Sequence, residues 1–131
     1  MKDIFWLTED FDAARGDEDA GSSDDNNIVS AQDNNIYFYS EVSRPKVLSL
    51  NKSLVRVSNS IRNRSSVLQC EDIPINLHIC SYGGSVFSGF AAVDYIAENK
   101  VPVHSYIDGC AASAATLMSV VAEKRFMHKR S

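Results

Sequence analysis

The sequence predicts an α/β fold with mostly parallel strands, a fold class whose sites form where a strand gives way to a helix. Three observations carry this. From about residue 35, short β-branched and aromatic runs alternate with stretches whose apolar residues recur at three- and four-residue spacing. Two turns of small residues, 81–85 and 109–115, each follow a strand and open a helix. The 131 residues, 44% hydrophobic and 23% charged, suffice for one globular core but not for two.

Taken in order, Ile36-Tyr37-Phe38-Tyr39, bounded by Asp33-Asn34-Asn35 and by Glu41, reads as a strand. Pro45 marks a turn. Val47, Leu48, Leu50, Leu54, Val55, Val57 and Ile61 then form the apolar side of a helix, with Lys52, Arg56, Arg62 and Arg64 on other faces. Its Ser, Asn and Val content makes it a weak helix former, so packing on a sheet must hold it. Its basic outer face is read as solvated, with contact to an acidic N-terminal segment as the alternative. Residues 73–80 are a strand with Ile75, Leu77 and Ile79 on one face, and the turn Ser81-Tyr82-Gly83-Gly84 leads into a helix over 86–98, with Phe87, Phe90, Ala91 and Tyr95 at helical positions. Pro102 ends that connection. Residues 103–107 are a strand, Asp108-Gly109-Cys110 turns into a helix of small residues over 111–122, and 125–128 is a last strand. The order β-α-β-α-β-α-β calls for right-handed connections.

Charge divides the chain unevenly. Residues 1–35 hold ten acids against Lys2 and Arg15, net −8, whereas residues 36–131 are net +4. The run RGDEDAGSSDDNN cannot bury enough surface to offset its ordering entropy. Residues 1–34 are therefore expected to be an acidic, partly disordered segment with a linker at 13–27, ahead of a domain at 35–131. Before the linker, Ile4, Phe5, Trp6, Leu7 and Phe11 form a small apolar cluster, read as packing on its own domain or, alternatively, as a docking tag. The net charge of −4 gives no general reason to bind nucleic acid, and no apolar run approaches the ~20 residues of a membrane span. The first residues lack the apolar stretch and cleavage site of a signal peptide, so none is expected, and no CxxC pair occurs; three separated cysteines, Cys70, Cys80 and Cys110, speak against a zinc site or disulfide framework and for a cytoplasmic setting.

The two turns carry the chemistry. Gly83-Gly84 allows positive φ and leaves backbone N–H groups open at the head of a helix, where they can stabilise negative charge, although glycines alone equally well make a tight turn. In Gly109-Cys110-Ala111-Ala112-Ser113-Ala114-Ala115, a serine stands at a helix head between alanines, where a substrate carbonyl can approach its oxygen. A lone serine there is ordinarily a cap. Together, the turns supply a candidate nucleophile and a candidate oxyanion hole at one edge of one sheet.

Residues 75–127 resemble the core of the proteolytic subunit of the Clp protease. That family carries an S-P-G-G-x-[VI] turn, a G-x-A-A-S-x-G/A nucleophile turn and a K-R-[FY] element; the matches are Ser81, Gly83, Gly84, Ser85 and Val86, then Gly109, Ala111, Ala112 and Ser113, then Lys124, Arg125 and Phe126. The likeness extends less strongly back to residue 35. It implies a serine endopeptidase of the Clp fold, related to the crotonases, that assembles into rings as a homo-oligomer, takes unfolded polypeptides as substrates, and is fed by an AAA+ ATPase unfoldase that uses the ATP. No cofactor or metal is implied in this chain. Residue by residue, Ser113 matches the nucleophile, Gly84 and the N–H of Ala114 the oxyanion donors, and Gly83, Ser85 and Val86 the substrate-binding positions.

Departures accompany the match. Tyr82 replaces the motif proline, and Ala114-Ala115 stand where Met-Gly is common. The family's base histidine follows the K-R-F element and its orienting aspartate comes later still, so both are expected beyond Ser131 and the domain is expected to be incomplete here. His78, His104 and His128 do not match the base. The alternative is a non-catalytic Clp-like subunit that modulates a complete Clp ring; a crotonase-like acyl-CoA binder is a weaker reading, disfavoured by the serine at the helix head.

Overall fold

The computed structural model describes residues 28–131. The expectations for the apolar cluster at 4–11 and the linker at 13–27 fall outside the described residues. Five strands, β1 (Ile28–Gln32), β2 (Asn35–Tyr39), β3 (Ile75–Ser81), β4 (Val103–Ala111) and β5 (Lys124–Met127), form one sheet in that order. Three helices alternate with the last four strands: α1 (Arg44–Leu68), α2 (Val86–Ala97) and α3 (Ala114–Val120). β1 pairs antiparallel with β2, and every later neighbour pair is parallel.

Because β2 to β5 are adjacent in chain order, right-handed crossovers put all three helices on one face. Strand alternation supplies the apolar side: Ile36 and Phe38, then Ile75, Leu77 and Ile79, then Val103 and Ile107 are buried. Against them α1 sets Val47, Leu50, Leu54, Val57 and Ile61, and α3 sets Ala115 and Met118. Each buried large side chain contributes about 1.5–3 kcal/mol, and this packing holds α1 despite its weak propensity.

Four boundaries differ from the sequence reading. β1 lies ahead of residue 35, joined to β2 by a tight turn in which Asp33 takes φ 54. Its residues alternate between exposed and half-buried, too little apolar signal to read as a strand. Pro45 does not mark a turn but sits in the first turn of α1, where its missing N–H costs nothing. α1 runs on to Leu68 and stops at Gln69 in the left-handed conformation (φ 52, ψ 45). The helix expected over 111–122 shortens to Ala114–Val120, because β4 continues to Ala111, where it rejoins β3 opposite Ser81 after a register shift.

The face away from the helices carries a row of rings, one from each parallel strand. Tyr37, His78, Tyr106 and Phe126 stack in sequence with centroids 4.8, 5.0 and 4.7 Å apart. Arg125 of the K-R-F element reaches back to the carbonyls of Val120 (3.0 Å) and Ala122 (3.3 Å), closing the carboxyl end of α3. No helix among the described residues is long and apolar enough to cross a membrane.

Candidate active site

The two turns singled out in the sequence meet at the carboxyl ends of β3 and β4. Ser81, the last residue of β3 and buried, stitches them together. Its carbonyl accepts from Ala112 N–H (3.0 Å), and its hydroxyl accepts from Gly83 N–H (3.1 Å). The glycine turn is also tied to the β2–α1 connection: Val42 N–H donates to Gly83 O and Ser85 N–H to Val42 O, both at 2.8 Å. Ser85 then caps α2 by accepting from Ser88 N–H (3.3 Å).

Both glycines are required by space as well as conformation. Gly83 takes φ 102, and a Cβ there would stand 2.6 Å from Ser113 Cβ, 2.8 Å from Ala112 O and 3.1 Å from Ala114 N. Gly84 takes φ 149, and a Cβ there would fall 2.3 Å from Val42 O. Deeper in, Gly89 of α2 lets the helix approach Ala114, with a Cβ site 3.3 Å from Ala114 Cβ. Small residues at 83, 89, 112 and 114 therefore draw the glycine turn, α2 and the head of α3 into one spot.

At that spot Ser113 adopts φ 53 and ψ −126 and is exposed. Asp33 at a hairpin turn and Gln69 at a helix end also have positive φ, but Gln69 is an ordinary left-handed cap, whereas the ψ of Ser113 lies outside that region. Such a conformation costs on the order of 1–3 kcal/mol and persists only where the surroundings enforce it. Here Thr116 secures the turn twice, its N–H to Ser113 O (3.0 Å) and its hydroxyl to Ala111 O (2.9 Å). The Ser113 hydroxyl makes no cap bond, in contrast to Ser85. The N–H groups of Gly84 and Ala114 donate to no carbonyl among the described residues. Beside the turn lies a cleft of about 650 Å³ between residues 39–41 and 80–84.

The histidines lie elsewhere. His78 Nδ1 donates to Asp108 Oδ2 (2.8 Å), His128 Nε2 meets Asp108 Oδ1 (3.2 Å), and the Tyr39 hydroxyl donates to Asp108 Oδ2 (2.6 Å). His104 packs on Phe126. No histidine hydrogen-bonds Ser113 among the described residues. Partial burial pushes the Asp108 carboxyl up, but hydrogen bonds from Tyr39 and His78, the charge of His78 and the His128 contact outweigh it and hold the carboxyl below its ordinary value. The same bond to Asp108, followed by burial, raises the Tyr39 phenol from 10.0 to about 12. Sequence reasoning did not find this cluster. Its other members lie 20 to 69 residues from Asp108 in the chain, and the available hint was that Tyr39, His78 and Asp108 all fall on outward strand positions.

This parallel-sheet domain sets a strained serine at a helix head against a double-glycine turn, placing a hydroxyl beside backbone N–H groups, the kind of arrangement that acyl transfer can use. The chain belongs to the Clp protease family, whose model matches residues 30–131. Among solved structures, it is similar to a ClpP1 mutant from Listeria monocytogenes at 25% identity, covering 72% of this chain and 50% of that one with a TM-score of 0.61. The ClpP protease catalytic domain from Plasmodium falciparum shares the fold at 23% identity, 72% and 47% coverage and a TM-score of 0.56. The chain spans about half the length of these relatives. The expected α/β, Clp-like fold is thus borne out, and the match reaches upstream of residue 35.

Proposed function

We propose that the chain is a subunit of a Clp-type serine endopeptidase, with Ser113 as nucleophile and the N–H groups of Gly84 and Ala114 as oxyanion donors. The observation that supports it most is the conformation of Ser113, held at φ 53 and ψ −126 with its hydroxyl free of cap duty beside an N–H that has no backbone acceptor among the described residues. In this reading Ser113 Oγ attacks a peptide carbonyl and its proton passes to a base. The carbonyl oxygen, now negative, is met by the two N–H groups; the amine leaves with the proton, and water then releases the acyl group. Gly83, Ser85 and Val86 line the path along which an extended substrate backbone would lie. The base and its orienting acid are residues that the family places after the K-R-F element. Polypeptide substrates, assembly into a ring and service by an AAA+ ATPase in the cytoplasm belong to the same proposal. The test is labelling of the polypeptide, extended past Ser131, by a fluorophosphonate: wild type reacts and Ser113→Ala does not. An extended protein that stays unlabelled would refute the proposal.

A second reading is a non-catalytic subunit that modulates a complete Clp ring. It is favoured by the engagement of both His78 and His128 with Asp108 rather than with Ser113. Co-purification with an active Clp barrel would support it; purification without any such contact would remove it.

A further inference from the structure

α1 carries six bases and no acid in its 25 residues: Arg44, Lys46, Lys52, Arg56, Arg62 and Arg64. Arg44, Leu48, Lys52 and Arg56 recur every fourth residue and are all exposed, so they form one stripe along the outer face. Leu48, 54% exposed, interrupts the stripe, and Val67, exposed and eleven residues after Arg56, lies on the same side near the far end of the helix, so the face is apolar as well as cationic.

Residues 1–27 have the complementary composition, with nine acids, two bases and an apolar cluster. They join the fold at a suitable place. Ile28 pairs with Tyr39, so β1 begins at the end of the sheet from which α1 departs, and β1 packs against α1. Asp24 and Asp25 therefore precede a strand already anchored beside the basic helix. Twenty-seven residues span up to about 90 Å when extended, whereas α1 is only about 37 Å long.

We infer that the outer face of α1 is a docking surface for an acidic peptide, supplied within the chain by residues 1–27. A single exposed ion pair is worth little, on the order of 0–1 kcal/mol, but the tether gives the segment a millimolar-range effective concentration at the helix, and several pairs act together. The contact is electrostatic in origin and weakens as salt shortens the screening length from about 10 Å at 0.1 M to about 3 Å at 1 M.

Trp6 is the sole tryptophan, so its emission reports on this segment. In the full chain, emission is expected to be blue-shifted at low salt and to move red in 1 M salt and in Lys52→Glu/Arg56→Glu, with far-UV circular dichroism confirming that the variant is folded. A zero-length carbodiimide cross-link is expected between the acids of residues 1–27 and Lys46 or Lys52, within one chain when isotopically light and heavy protein are mixed. Emission unmoved by both salt and charge reversal overturns the inference. So do cross-links confined to light–heavy pairs, which would make a second copy the occupant. Equally damaging is duplex DNA binding to α1 with no change in Trp6 emission, which would make the face a polyanion site. If the double variant is unfolded, the salt response and the cross-link in the wild type decide alone.

Discussion

At the carboxyl ends of β3 and β4 the chain assembles two polar groupings by opposite means. Around Ser113 the parts are backbone: N–H groups, two glycines at positive φ and a serine whose environment is set by alanines and the Ser81 stitch. On the open face, around Asp108, the parts are side chains: a phenol, two imidazoles and a carboxylate on a floor of stacked rings. The first has a candidate nucleophile with no histidine bonded to it among the described residues; the second has proton-carrying groups satisfied by one another. Strand β4 feeds both, since Asp108 points to the open face and the chain reaches Ser113 five residues later. A backbone site tolerates almost no change of residue, because each N–H is fixed by the turn that holds it. A side-chain cluster tolerates substitution and registers it as a shifted titration.

This contrast can be broken at four places. On the proposed function, the largest effect belongs to Ser113→Ala in the polypeptide extended past Ser131, where any peptide hydrolysis should fall by about 10⁴ or more; a peptidase assay that retains its rate would end the nucleophile assignment. Next, Gly83→Ala should destabilise the fold by about 3 kcal/mol or more, as backbone strain adds to a collision with Ser113, and chemical denaturation measures it. Ser81→Ala should cost about 1–3 kcal/mol by orphaning the Gly83 N–H, and should slow probe labelling of Ser113 as the turn loosens.

The smallest effect on stability should come from Asp108→Asn, whose signature is titration. The Tyr39 phenol, at about 12 in the wild type, should return toward 10.0, read by phenolate absorbance. The sign follows from the direction of each shift. The Tyr39–Asp108 bond stabilises the fold fully below pH 10 and is lost as pH rises toward 12. Asp108, with its carboxyl held low, contributes above the ordinary carboxylate pKa and loses that contribution as pH falls through its lowered value. Asp108→Asn should flatten both limbs while leaving Ser113 labelling unchanged; altered labelling would mean that the two groupings are coupled.

The same contrast explains what the sequence revealed. Ser113 and Gly83-Gly84 were legible because backbone sites depend on local residue types, and few residues fit those conformations. Ile75, Leu77 and Ile79 were legible because burial on one strand face has period two. The tail of β4 was not, since Gly109-Cys110-Ala111 has little strand propensity and is held by its long-range pairing with Ser81. Phe87 and Phe90 read as apolar helix positions, yet they are exposed, and α2 instead buries Gly89, Ala92 and Ile96, because close approach to α3 needs small residues.

Ser113 also sets durability against chemistry at a single codon. Glycine adopts φ 53 and ψ −126 without the strain that serine bears, so Ser113→Gly would raise the unfolding temperature while deleting the hydroxyl. On the proposed function, a lineage freed from selection for hydrolysis would have a downhill route to that substitution. A random library sorted for survival of heating would accordingly enrich Ser113→Gly, so that the hardiest clones would be those without the hydroxyl at this position.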